Sequence, residues 1–117
     1  MEIRLNASKE AAYTLYITLL NPLLDKNKLT EQEINVLSKM LYIDNMYSHL
    51  TKENRDIIIF NKITKSKIKD SLSISSNSYE NVLSKLRKKK IISNKSLLFK
   101  QPNLKDELSI NFIIKIK

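Results

Sequence analysis

With 117 residues, the chain has the length of one compact domain that can bury a core of its own. It contains no cysteine, which excludes disulfide bonds and thiolate metal sites and favours a reducing compartment. It also contains no glycine, which excludes glycine-rich phosphate loops, dinucleotide fingerprints and the nucleophile elbow of hydrolases. The formal net charge of +9 favours a polyanionic partner.

The positive charge is concentrated in one third of the chain. Residues 1–60 carry 7 basic and 8 acidic residues, whereas residues 61–100 carry 11 basic and 2 acidic residues. The chain is also rich in lysine, isoleucine and asparagine, a composition that an AT-rich coding sequence produces without selection for binding. Because such a bias acts along the whole chain, the local excess favours a nucleic-acid surface over a purely compositional origin.

No segment has the pattern of a membrane span or a targeting signal. The longest apolar stretch, Ala11–Leu24, is broken by polar residues and a proline and is too short to cross a bilayer. The start, MEIRLNASKE, lacks the cationic segment and cleavage site of a signal peptide. We therefore expect a cytoplasmic protein with no membrane partner.

The first predicted elements are a strand and a helix. Glu2–Asn6 alternates polar and apolar residues, which is typical of a short edge strand or an arm. Ser8 is a candidate N-cap for a helix that runs to about Leu20 and ends before Pro22. A helix this apolar must be covered, either by the rest of the domain or by a second copy of the chain, so a homo-oligomer through this helix stays open.

Two further helices are predicted before residue 61. Residues 30–33, TEQE, form a capping box that begins a helix ending near Ile43. Residues 44–50 form a turn or a short helix, and Thr51 can cap another short helix. The apolar residues 57–60 at its end, three isoleucines and a phenylalanine, fit a buried helix or a strand.

The second half of the chain predicts two helices around a short turn, followed by a hairpin. The first helix runs from Lys62 or Lys65 to Leu72, the turn covers Ser73–Ser76, and Asn77–Lys90 forms the second helix. The predicted buried stripe of this second helix is Tyr79, Val82, Leu83 and Leu86.

Two strand-like runs, Ser96–Lys100 and Leu108–Lys117, are joined by the loop 101–107 and predict a C-terminal β-hairpin. We predict one domain, mainly α with this hairpin. Residues 1–60 form its N-terminal helical part and residues 61–117 form the two helices and the hairpin.

The stretch IKDSLSISSNSYENVLSKLRKKKII, residues 68–92, resembles the helix-turn-helix of the winged-helix DNA-binding superfamily. The matching positions are Leu72, Ile74, Ser75, Leu83, Leu86, Lys88, Lys89, Ile91 and Ile92. The resemblance covers residues 62–117 and implies a winged helix-turn-helix fold with additional N-terminal helices. Ser73 and Lys90 stand where the family prefers glycine, at positions that often require a positive φ.

The outward face of the second helix is the predicted DNA-binding surface, because the first turns of such a helix meet the base edges of the major groove. Asn81 is the predicted base-contacting residue, since a carboxamide can pair with adenine through two hydrogen bonds. Serine hydroxyls at the helix start and the surrounding lysines are predicted phosphate contacts. The predicted DNA-binding residues are Lys67, Ser75, Ser76, Asn77, Ser78, Asn81, Lys85, Lys88, Lys89 and Lys95. Lys69, Arg87 and Lys90 are further phosphate candidates around this surface.

No combination of residues predicts catalysis. His49 is the only histidine, and the acidic pairs are explained by helix capping at Glu31 and Glu33 and by a loop at Asp106 and Glu107. We therefore expect no enzymatic activity, no metal and no cofactor.

The sequence predicts a non-enzymatic double-stranded DNA-binding protein that regulates transcription. The alternative is a phage structural, virion-assembly or replication-accessory protein that uses its winged helix for protein contacts. The size and the composition resemble those of phage or mobile-element products. If a phage encodes the chain, we expect it in the host cytoplasm or in the virion.

Overall fold

The computed structural model of the protein describes residues 2–3, 8–102 and 110–111. Within these ranges the chain is mainly helical, which confirms the predicted class. The helices are α1 (Lys9–Leu20), a 3-10 helix (Asn21–Asn27), α2 (Glu31–Met46), α3 (Lys52–Ile59), α4 (Lys62–Leu72) and α5 (Ser76–Lys88). None of the helices in these ranges is both long and apolar enough to cross a bilayer.

Each α-helix begins at a polar side chain that accepts a hydrogen bond from a nearby backbone N–H. The capping box at α2 is complete: Thr30 Oγ1 accepts from the Glu33 N–H at 3.2 Å, and Glu33 Oε1 accepts from the Thr30 N–H at 3.4 Å. The structure thereby confirms the predicted box. The full set of caps is Ser8, Thr30, Thr51, Asn61 and Ser75.

The predicted bounds of two helices differ from the structure, at α2 and at α5. Helix α5 spans Ser76–Lys88 and not the predicted Asn77–Lys90, because Lys90 has a φ of 60°, which a right-handed helix does not contain. Helix α2 continues to Met46, past the predicted end at Ile43, because its inward stripe continues through the buried Leu41 and Asp44. Residues 57–59, which fitted a helix or a strand, belong to α3, and Ile59 at its end is fully buried.

Helix α2 is the centre of the molecule, because α1, α3, α4 and α5 all pack against it. Its Val36, Leu37, Met40 and Leu41 are completely buried. The surrounding helices contribute the buried residues Tyr13, Ile17, Ile59, Ile68, Tyr79, Val82, Leu83 and Leu86. This core supports α5 on one side and leaves its other side at the surface.

Helices α1 and α2 form an antiparallel pair. The Asn21 side chain closes their connection by accepting from the Leu29 N–H at 2.6 Å and donating to the Leu29 carbonyl at 3.0 Å. At the other end Lys39 forms an ion pair with Glu10. Because Tyr13 and Ile17 of α1 are buried within the same chain, the domain itself covers this face of α1. An oligomer through α1 stays a prediction.

The described strands pair differently from the predicted hairpin. Glu2–Ile3 (β1) pairs antiparallel with Ile110–Asn111 (β2), with Ile3 opposite Ile110. Residues 103–107 of the predicted loop and most of the predicted strand Leu108–Lys117 lie outside the described residues, so the second arm of the hairpin stays a prediction.

The segment Ser96–Lys100 does not form the predicted strand, apart from an isolated bridge between Leu97 and Ile92. Side chains of α3 explain this correction. Asp56 accepts from the Leu97 N–H at 3.1 Å, and Lys52 donates to the Leu97 carbonyl at 2.7 Å. These contacts occupy the backbone groups that a strand partner would use.

Candidate nucleic-acid interface

Helices α4 and α5 are joined by three residues, and each helix is followed by a residue with a positive φ. Ser73 after α4 has φ 54°, and Lys90 after α5 has φ 60°. At each site the following amide reaches back to close the helix, from Ile74 to the Lys69 carbonyl and from Ile91 to the Leu86 carbonyl. Both positions therefore have the left-handed backbone that their alignment with glycine predicted.

The inward side of α5 is the predicted apolar stripe. Tyr79 is 1 % exposed, and burial raises the pKa of its phenol, with a further contribution from the nearby Glu80. Its hydroxyl has no hydrogen-bond partner among the residues that the structure describes. Tyr79 is therefore a core residue, as its spacing to Val82, Leu83 and Leu86 predicted.

The outward side of α5 carries four exposed polar residues, Asn77, Asn81, Lys85 and Lys88, which we call the polar strip. Residues four or seven apart lie on one face of a helix, so these side chains form a continuous row about 16 Å long. The row contains two carboxamides and two ammonium groups and no acidic side chain. It can present both base-pairing donors and acceptors and positive charge to one partner.

The hydroxyls of the serines at the start of α5 already make hydrogen bonds within the protein. Ser75 Oγ accepts from the Ser78 N–H at 3.1 Å and donates to Ser78 Oγ at 3.0 Å. Ser76 Oγ accepts from Lys69 Nζ at 2.9 Å. Ser75 therefore caps α5, and Ser76 is joined to a lysine of α4.

One flank of α5 faces α4, and the lysines on that flank differ from the predicted one. Lys65 Nζ lies 3.9 Å from Glu80 Oε1, and Lys69 contacts Ser76. Lys67 is two residues from each, so it points to the opposite side of α4. The structure brings Lys65 and Lys69 to α5 and does not bring Lys67 there. Lys69 was already a phosphate candidate, and its four-residue spacing from Lys65 was the signal in the sequence that could have found Lys65.

Lys89 has an internal partner. Its ammonium group forms an ion pair with Glu33, whose side chain is 1 % exposed, and donates to the Lys28 carbonyl at 2.8 Å. These contacts join the end of α5 to the start of α2, 56 residues away in sequence. Because the charge of Lys89 is paired with a buried carboxylate, we remove it from the predicted phosphate contacts.

Lys95 lies in the turn that follows α5, and this turn is attached to α3. Asp56 of α3 accepts from Ser96 Oγ at 2.7 Å as well as from the Leu97 N–H. Burial raises the pKa of Asp56, but hydrogen bonds from Lys52, Ser96 and Leu97 outweigh it and hold the pKa below its usual value. Lys95 itself is exposed, and the two residues that follow it are held against α3.

The described residues contain no group of three or more histidine, cysteine or acidic side chains that could hold a metal ion. Comparisons with protein-family models, with curated proteins and with solved structures found no match to this chain.

Proposed function

We propose that the protein is a non-enzymatic double-stranded DNA-binding protein that acts as a transcriptional regulator, with α4 and α5 as a helix-turn-helix. The polar strip carries this proposal, because it joins carboxamides and ammonium groups on the exposed side of a helix whose other side is locked into the core. An α-helix with its side chains is about 10–12 Å across, and the major groove of B-DNA is about 12 Å wide. Helix α5 therefore has the dimensions of a groove-binding element.

Within the strip the two residue types have different tasks. The carboxamide of Asn81 can accept from adenine N6 and donate to adenine N7, which distinguishes adenine from the other bases. Lys88 supplies charge to phosphates, which is independent of sequence. Lys65 and Lys69 supply charge from the α4 flank, where Lys65 also offsets the carboxylate of Glu80.

Replacing one residue of each type tests the proposal. Asn81→Ala should reduce the difference in affinity between preferred and random duplexes by about 1–3 kcal/mol and barely change random-duplex affinity. Lys88→Ala should weaken both duplexes by the same factor. The preferred duplex is first selected from a random pool, and both affinities are then measured by fluorescence anisotropy. Equal loss from both variants on both duplexes would remove Asn81 from base recognition.

Exposed apolar side chains support the second candidate, a structural or accessory protein that binds other proteins. Ile57 on α3 is 62 % exposed, and Ile63 on α4 is 68 % exposed. Large apolar groups at the surface are typical of protein contacts when they form a patch. Indifference to duplex DNA near physiological salt, together with a large assembly in light scattering, would favour this candidate over DNA binding.

A further inference from the structure

A groove of about 480 Å³ runs beside the polar strip, between α5 and the start of α2. Lys85 lies on its α5 side, and Leu72 at the end of α4 and Ile74 of the connection between α4 and α5 form its apolar part. The α2 side carries polar residues, namely Thr30, Glu31, Gln32 and Asn35. None of these α2 residues belongs to the set predicted to bind DNA.

Contacts at the two flanks show where this groove lies relative to the polar strip. Glu80 faces α4 through Lys65, and Lys89 faces the start of α2 through Glu33. Nine residues correspond to about 900° of helix rotation, so these two side chains are on opposite flanks of α5. Asn81 lies between them, about 100° from Glu80 and about 80° from Lys89. The strip is therefore bordered by α4 on one side and by the α2 groove on the other.

A helix in the major groove has one sugar–phosphate backbone on each side, because the groove is only about as wide as the helix. Resting on the proposed function, we propose that the groove between α2 and α5 receives the sugar–phosphate backbone of one DNA strand. Lys85 supplies the charge, the amides of Gln32 and Asn35 donate to phosphate oxygens, and Leu72 and Ile74 pack against the deoxyribose.

Exposed Lys28 strengthens the charge complementarity. The backbone carbonyl of Lys28 accepts a hydrogen bond from Lys89 Nζ, so Lys28, which precedes α2, is held at the α2 flank of α5. Glu31 is an acidic residue in the groove lining and opposes a phosphate. Replacing this carboxylate with a neutral group should therefore raise the affinity for DNA and not lower it.

Two charge changes in the groove test the proposal by fluorescence anisotropy with a duplex of random sequence. Glu31→Gln should tighten binding about threefold, and Gln32→Glu should weaken it about five- to tenfold at about 0.1 M salt. Glutamate at the second position of a helix is favourable, so Gln32→Glu should keep the fold, which thermal unfolding by circular dichroism would verify.

Ala11→Glu is the matched control. It adds the same charge in the first turn of α1, next to Glu10. Glu10 pairs with Lys39 of α2, and Lys39 is seven residues, or about 10 Å along the helix, from Gln32. That separation is about one Debye length at 0.1 M salt, so the control should change affinity by less than about twofold.

The proposal is overturned if Glu31→Gln does not tighten binding or if Gln32→Glu weakens it no more than Ala11→Glu does. Failure of the proposed function gives a different result. In that case the wild-type protein itself lacks salt-dependent affinity for the duplex, whatever the groove variants do.

Discussion

Ser73 and Lys90 hold left-handed backbone conformations without glycine's freedom, and each terminates a helix of the candidate interface. A side chain with a Cβ costs about 1 kcal/mol in this conformation. The amides of Ser73 and Ile74 still close α4, so the turn between α4 and α5 keeps its geometry. The positive φ of Ser73 lowers the stability of the fold.

Replacement of Ser73 by glycine should stabilise the protein. We expect Ser73→Gly to raise the free energy of unfolding by about 1 kcal/mol, measured by urea denaturation, because it removes the strain at φ 54°. Ser73→Ala keeps the Cβ and should leave stability within about 0.5 kcal/mol of wild type. If glycine and alanine gave the same stability, strain at this position would not be the cause.

Lys88 and Lys89 are adjacent but have different environments. Lys88 is exposed on the polar strip, whereas Lys89 neutralises the buried carboxylate of Glu33. Lys89→Met keeps the aliphatic part of the side chain and removes its charge, which leaves Glu33 unpaired. We expect a loss of about 3 kcal/mol in the free energy of unfolding, measured by urea denaturation.

Lys88→Met is the matched neighbour. It should change stability by less than about 0.5 kcal/mol. At a temperature where both variants are folded, Lys88→Met should weaken DNA binding more than Lys89→Met does, because the Lys89 charge is already paired with Glu33. If Lys88→Met lost stability and Lys89→Met lost more DNA affinity, the roles assigned to these two lysines would be interchanged.

At the scale of elements, Asp56 attaches the turn after α5 to α3, and this attachment should depend on pH. The pKa of Asp56 is lowered in the folded protein, so the unfolded chain binds the proton more tightly. Its stabilising contribution is therefore complete above the unfolded pKa of about 3.9 and is lost as the pH falls through the folded value.

Asp56→Asn measures this contribution. At pH 7 we expect the variant to lose about 1–2 kcal/mol of unfolding free energy, because the charged acceptor of three hydrogen bonds becomes neutral. Urea titrations at lower pH should show the difference between wild type and variant shrinking below about pH 4. A penalty that stays constant down to pH 3 would assign the loss to packing and not to ionisation.

The elements that the sequence predicted well are those with strong local signals. The α5 stripe and the caps at Ser8, Thr30 and Thr51 depend on residues within a few positions of each other. The strand at Ser96–Lys100 was wrong because the groups that bind its backbone come from α3, about 40 residues earlier. Lys67 was chosen from charge alone, although helical spacing places Lys65 and Lys69 on the opposite side of α4 from it.

At the scale of the molecule, the fold adds residues from the first half of the chain to the surface around α5. The connection between Lys89 and Glu33 brings Lys28 and the first turn of α2 beside the polar strip. No local pattern predicts this, because a contact across 56 residues depends on how the helices pack around α2. The concentration of positive charge in residues 61–100 was visible in the sequence. The contribution of α2 to the edge of this surface was not.

The central claim is that this surface binds the phosphates of duplex DNA, and the salt dependence of binding tests it most directly. Anisotropy titrations of a random duplex should give a slope of about −4 to −5 in a plot of log affinity against log salt, for about five phosphate contacts. The double variant Lys85→Ala and Lys88→Ala should make the slope shallower by about 2. A wild-type slope between zero and about −1, or a slope that the double variant leaves unchanged, would contradict the account.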